Sequence, residues 1–270
     1  MSCRVEILSV GNELLLGNTI NTNACWLATQ VTSLGGSVTR ITTVQDNLKE
    51  ISTAVLESLG RRPDILITTG GIGPTFDDMT LMGVARALKM PVRVNPAAVQ
   101  MIREHYARRF PGRKLILTKP RLKMAQLPIR GIPVRNPVGT APAVSLISGE
   151  TQIFCLPGVP KEAKAIFRES VSTAVRAISR GAVFAETWLS VHGVMESVLA
   201  PMIDRAMRRW PGVYIKSHPR GIEASGRPHI ELHFSMSASE PNTAGRTLSG
   251  ASHYLTNRLR RYGAKITSHT

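Results

Sequence analysis

Strand and helix signals alternate through the first 90 residues, and this alternation restricts the fold more than any other feature. VEILSVG (5–11) is apolar, rich in β-formers and closed by glycine. NTNACWLATQVTSLG (21–35) spaces its apolar residues at helical intervals, opens on asparagine and stops on glycine. VTRITTV (38–44) is β-branched, and NLKEISTAVLESLG (47–60) reads as an amphipathic helix. PDILITTGG (63–71) reads as a buried strand and DDMTLMGVARALK (77–89) as a helix. Strands and helices that alternate through short loops build a mostly parallel sheet covered by helices on both faces, a three-layer α/β/α architecture. In such sheets ligands sit at the carboxyl ends of the strands.

The pattern then loosens. Residues 96–110 read as a further helix, followed by a basic, proline-rich connection, KPRLKMAQLPIRGIPVRNPVGTAP. Strands are expected over 142–148 and 151–157, and PGVPKE (157–162) opens a helix that runs to about Ile178. Composition shifts near Arg180-Gly181. Beyond it, strand (187–193), helix (194–210), strands (213–219 and 229–237) and a final helix (241–262) form a small α+β unit. Residues 1–180 and 181–270 are therefore expected as two domains.

Two totals bear on function. The formal net charge is +16, and it is uneven: the first 80 residues hold eight acids and five bases, and the remaining bases lie beyond. A basic surface attracts nucleic acid or anionic metabolites, but charge alone does not make a site. No apolar run is long enough to span a membrane, and MSCRVEILSVG lacks the features of a signal peptide. The three cysteines are widely spaced with no C-x-x-C pair, so the expected location is the cytoplasm.

The stretch most suggestive of chemistry is TTGGIGPTFDD (68–78). Gly70, Gly71 and Gly73 follow a strand and precede a helix, an arrangement that turns backbone N–H groups toward an anion. Pro74 and Thr75 complete the turn. It is neither a Walker A loop nor a G-x-G-x-x-G fingerprint. It ends in Asp77 and Asp78, which would repel a phosphate. Thr75 or Asp77 could cap the next helix, yet capping accounts for one carboxylate, not for two beside three glycines. A divalent cation such as Mg²⁺ resolves the conflict, because it takes one or two carboxylates and completes its shell with substrate phosphate oxygens.

Other strand ends contribute candidates. Glu13 follows Gly11 in GNELLLGNTINTNACWLA, where Asn21 or Thr22 is expected to cap a helix and Asn23 follows. Asp46, in TTVQDN, is either functional or a helix cap. Asn136 and Gly139, in RNPVGTAP, and Gly158, in LPGVPKE, lie in tight turns that could approach a ligand. His229 and His233 share one face of a strand, but no third ligand is close in sequence, so no metal role is assigned to them. Zinc-hydrolase and serine-hydrolase signatures are absent.

Taken in order, GNELLLGNTINTNACWLA, TTVQDN, TTGGIGPTFDDMT, NPVGTAP and LPGVPKE resemble the CinA family (competence/damage-inducible protein A). The resemblance covers about residues 4–178, and residues 181–250 look like that family's small KH-type domain. It implies a MoaB/MogA-like fold of the molybdopterin-binding superfamily, and usually a homodimer. It implies metal-dependent hydrolysis of ADP-ribose or a similar dinucleotide, or alternatively the binding or adenylylation of molybdopterin. Carried over by motif, Gly70, Gly71 and Gly73 would contact phosphate and Asp78 would be the essential aspartate, with Asp77 beside it. Asp46 would be the acidic strand-end residue, and Glu13, Asn23 and Asn136 would line the same pocket. Full-length CinA proteins carry a further amidase domain, and this chain ends at Thr270, so amidase activity is not expected. No G-x-x-G lies between residues 181 and 270, so a KH-type clamp on nucleic acid is not expected either.

These readings set three hypotheses in order. The first is a cytoplasmic Mg²⁺-dependent nucleotide pyrophosphatase, with Asp77 and Asp78 at the metal and Asp46 or Glu13 orienting or deprotonating water. The second is a molybdopterin protein using the same pocket. The third is a nucleic-acid binder driven by charge alone.

Overall fold

The structure is a computed structural model that describes residues 3–112, 116–224 and 226–269. Two compact units divide the chain, one holding Gly36–Ser179 with the residues up to Thr32, the other Ser33–Gly35 with the residues from Arg180 onward.

The first unit is built on a six-stranded sheet. Its strands are β1 (Arg4–Val10), β2 (Ser37–Val44), β3 (Ile65–Thr69), β6 (Ile132–Val134), β7 (Ala143–Ser148) and β8 (Thr151–Leu156), in the order β2-β1-β3-β8-β7-β6. The pairs from β2 through β8 are parallel, while β7 runs antiparallel to both its neighbours. The reversal follows from the two-residue turn between β7 and β8, which can only join antiparallel strands. A separate two-stranded ribbon pairs β4 (Val92–Val94) with β5 (Gln126–Pro128).

Burial alternates along the central strands, as period-two side chains require. Leu8, Val10, Leu66, Ile153 and Cys155 face a core shared with α3 (Leu48–Gly60), α4 (Thr80–Ala87) and α5 (Pro96–Arg109). Ile7, Ile65, Ile67, Phe154 and Leu156 are equally buried on the alternate face. The remaining helices are α1 (Asn12–Leu15), α2 (Thr22–Ser33), α6 (Lys119–Lys123), α7 (Pro160–Ile166) and α8 (Ser172–Ser179), with a π-helical turn at Phe167–Val171 between the last two. Trp26 of α2 meets Phe167 edge-on at 5.5 Å.

The expected architecture is observed, with local differences. The helix expected over 77–89 is shorter, because Thr75–Asp78 folds into a turn ahead of it. The proline-rich connection contains α6, β5 and β6, three-residue strands whose prolines sit where a strand can tolerate a missing donor.

The second unit runs β9 (Val183–His192), α9 (Glu196–Arg209), β10 (Tyr214–Ile222), β11 (Pro228–Ala238), α10 (Pro241–Arg261) and β12 (Lys265–His269). Its antiparallel sheet has the order β10-β11-β9-β12. This is the split β-α-β arrangement of ferredoxin-like domains. Leu189, Val191, Leu232 and Phe234 form the core with Leu199 of α9 and Leu255 of α10. The alternate residues, Trp188, His192, His229 and His233, lie on the opposite face of the sheet. No helix of the described residues is long and apolar enough to cross a membrane.

Candidate functional site

A cleft of about 590 Å³ opens where β1, β2, β3 and β8 end. The parallel strands bring their following loops to one edge, so residues far apart in sequence meet there. Gly70, Gly71, Gly73, Pro74 and Thr75 line it, as do Glu13, Asn23, Asp46, Asp77, Asp78 and Gly158.

The glycine turn is shaped by left-handed backbone. Gly70 has φ 100° and Gly71 has φ 64°. A Cβ on Gly70 would lie 2.2 Å from the Val10 carbonyl, and one on Gly71 would lie 2.3 Å from Thr80 Oγ1. The turn is fixed to α4 from behind. The Thr80 amide donates to Gly71 O at 2.9 Å, and its hydroxyl donates to Gly70 O at 2.8 Å. The first amide of α4 is thus engaged within the protein and is not offered to a ligand. Gly73 has a different use, since a Cβ there would lie 2.7 Å from the Asp78 carboxylate.

The acids after the turn do not cap the helix: the N-cap of α4 is Met79, with no side-chain bond. Instead both converge on Thr75. Its hydroxyl is 2.5 Å from Asp77 Oδ1 and 2.6 Å from Asp78 Oδ2, and its amide donates to Asp78 Oδ2 at 2.7 Å. One hydroxyl carries one proton, so it can donate to only one of these carboxylates at a time. The Thr75 bond holds the half-buried Asp77 carboxyl below the usual range. Lys123, at the end of α6, contacts the Thr75 carbonyl and sits near Asp77.

Asp46 faces this group from the end of β2. It accepts from the Asn12 amide at 2.8 Å, and its own amide donates to Asn12 Oδ1 at 3.3 Å. It does not cap α3. Asn47 does, accepting from the amides of Lys49 and Glu50. Burial pushes the Asp46 pKa up, and the negative charges of Glu13, Asp77 and Asp78 add to the rise. The carboxylates do not close into a preformed cage. Among the described residues, only His192, Glu223 and His229 bring three ligand atoms of this kind within 4.8 Å of one another. An acidic cluster with open space beside it suits a cation that keeps water and substrate oxygens in its shell, as Mg²⁺ does.

Asn23 donates to Gly158 O at 2.7 Å and to Thr69 Oγ1 at 3.1 Å, while its Oδ1 is buried without a partner. Asn21 is the residue that serves α2, accepting from the Ala24 amide.

Two expected residues lie elsewhere. Asn136 and Gly139 stand behind the cleft wall and do not line the cleft. Asn136 is 5% exposed. It donates to Ala141 O at 2.9 Å and to Glu162 Oε2 at 2.7 Å, and accepts from the amides of Val138 and Gly139. A Cβ on Gly139 would lie 2.1 Å from the Glu162 carboxyl carbon. Both residues therefore hold Glu162, which does line the cleft. Glu162, Lys123 and Tyr106 were not singled out from sequence. Glu162 was visible as an acid at a helix start, but Lys123 and Tyr106 carried no local signal.

A model of probable molybdopterin binding domains matches residues 6–177. An Aeropyrum pernix protein is 44% identical over 236 residues, covering 87% of this chain and 86% of that one. A Pyrobaculum aerophilum protein is 42% identical over 265 residues, covering 98% and 97%. Among solved structures, CinA of Thermoplasma acidophilum, a protein of unknown function, is 38% identical with a TM-score of 0.59. It covers 64% of this chain and 98% of its own. With the sheet, the glycine turn and the motif order all falling inside the matched range, the chain belongs to the family of probable molybdopterin binding domains.

Proposed function

We propose that the cleft is the active site of a divalent-cation-dependent pyrophosphatase acting on ADP-ribose or a similar dinucleotide. The observation that carries the reading is the Thr75 hydroxyl shared by two carboxylates, with Asp46 opposite and a left-handed glycine turn alongside. Simple phosphate recognition does not need three acids; a cation beside a phosphoanhydride does. A divalent cation held by Asp77 and Asp78 would withdraw charge from the anhydride oxygens.

The chain's own groups supply the rest. The turn at Gly70, Gly71 and Gly73 lets the diphosphate approach the backbone. Asn23 lines the same cleft and braces its wall through its bonds to Gly158 O and Thr69 Oγ1. Asp46 or Glu13 orients the attacking water and takes its proton as oxygen bonds to phosphorus. The P–O anhydride bond breaks, and its electron pair leaves on the second phosphate, giving AMP and ribose 5-phosphate from ADP-ribose. The proposal extends to a homodimer in the cytoplasm.

The family match favours a second reading, in which the same cleft binds molybdopterin or adenylylates it, the molybdopterin phosphate taking the AMP portion of ATP as pyrophosphate leaves. Both use a phosphoanhydride, hydrolysed in one case and formed in the other. Incubation with ADP-ribose and Mg²⁺, resolved by chromatography, separates them. AMP is expected under the first reading. No AMP with any divalent cation, together with pterin binding, overturns it in favour of the second.

A further inference from the structure

The second unit holds a group of side chains with no part in the cleft chemistry. His192 ends β9, and His229 lies directly opposite it on β11. Residues paired across antiparallel strands present their side chains on the same face. The two imidazoles accordingly stack at 4.4 Å, with planes 15° apart. Glu223 follows β10 in the turn that leads back to β11, fixed by its amide donating to Arg227 O at 2.9 Å. Its Oε1 lies 2.6 Å from His192 Nδ1. One ligand atom from each of the three residues lies within 4.8 Å of the others.

We propose that His192, Glu223 and His229 form a site for a borderline transition-metal cation of the Zn²⁺ class. The His192–Glu223 pair could stand alone as an ion pair. It leaves one thing unexplained: His229 Nε2 is buried and has no hydrogen-bond partner. A buried ring nitrogen without a partner is costly. A cation shared with His192 and Glu223 satisfies it.

The donor set decides the class of metal. Two imidazoles and one carboxylate are the ligands of three-coordinate protein sites that hold Zn²⁺ and leave a fourth position to water. Mg²⁺ prefers oxygen ligands in octahedral array, so it selects the cleft and not this site. Cationic neighbours oppose binding. Lys265 lies opposite His192 on β12, and Arg227 is in the turn. Lys265 is exposed, so its flexible ammonium can turn to water. Bound metal would tie β9, the β10–β11 turn and β11 together and so serve as a clip on this sheet.

The test uses the full chain without an affinity tag, stripped of metal, in a background carrying D77N and D78N so that the two acids proposed to hold the cleft cation are removed. Co²⁺ is titrated as a spectroscopic stand-in for Zn²⁺. The proposal expects one equivalent bound with visible d–d absorption, displaced by Zn²⁺ and unaffected by excess Mg²⁺. H229A should weaken binding at least about tenfold, since even residues behind a metal's ligands are worth that much. E223Q, which preserves shape, should do the same and decides the matter if H229A loses its fold by circular dichroism. Failure to take up Co²⁺, or equal uptake and spectra in the parent and E223Q, overturns the proposal.

Discussion

Gly70→Ala tests whether the glycine turn is held by the architecture around it. At φ 100°, an alanine bears the cost of left-handed backbone, about 1–2 kcal/mol. Its Cβ would also lie 2.2 Å from the carbonyl oxygen of Val10. That neighbour is backbone at the end of a central strand and cannot rotate away. Forcing atoms into a packed site costs about 1–3 kcal/mol more, so the total loss is about 2–5 kcal/mol. Gly149→Ala is the control. Its φ is 58°, in the same unit, but nothing lies within 4 Å of the added carbon. It should lose only the backbone portion, about 1–2 kcal/mol. Alanine also restricts the unfolded chain, and that effect cancels between the two variants. Urea unfolding followed by circular dichroism measures the difference, expected at about 1–3 kcal/mol. Equal losses in both variants would refute the claim that the Val10 carbonyl dictates glycine at this position.

Three further outcomes follow from the same geometry. Asn136→Ala should destabilise the first unit by about 2–4 kcal/mol, because Glu162 and two amides lose their buried partner. Asp46→Asn should be more stable than the parent near neutral pH, and inactive where Asp46 rather than Glu13 takes the proton. A carboxyl whose pKa is raised on folding weakens the native state once it ionises, so the gain should appear as pH rises above about 4 and vanish below it. A stability profile in which the variant gains at low pH instead would contradict that assignment. Among the thiols, Cys25 is exposed while Cys3 and Cys155 are buried, with pKa values pushed up to about 12 and about 11. A thiol reagent should label Cys25 in the native protein and all three after denaturation; fast native labelling of Cys155 would refute its placement in the core.

Much of this site was legible in the sequence because it is local. The glycines and aspartates of 68–78 are neighbours in the chain, and the strand before them needs only an apolar run to be recognised. Asp46 and Glu13 were found because each closely follows a strand. What escaped depends on contacts across the fold. Asn136 looked like a ligand residue because it sits in a turn, but its two donors go to Ala141 and Glu162, and the latter is 26 residues away. Lys123 reaches Thr75 from 48 residues away, out of a segment that read as a loop. β4, β5 and β6 are three residues each, too short for any alternation to register. β12 was missed for a related reason: KITSH has one apolar side chain, and only its pairing with β9 makes it a strand. The partners of His229 lie on a neighbouring strand and in a turn, so sequence spacing pointed to His233 instead. His233 in fact pairs with Glu186 and stacks on Trp188.

The central claim is that the paired acids after the glycine turn serve a cation in phosphoanhydride hydrolysis. The most direct measurement is AMP release from ADP-ribose as a function of Mg²⁺, for the parent chain and for Asp78→Asn. Turnover should be saturable and Mg²⁺-dependent, and chelation should abolish it. Asp78→Asn should lose about 100-fold or more, in the range that removal of one group stabilising transition-state charge produces. Turnover that persists without divalent cation, or an Asp78→Asn variant as active as the parent, would contradict it.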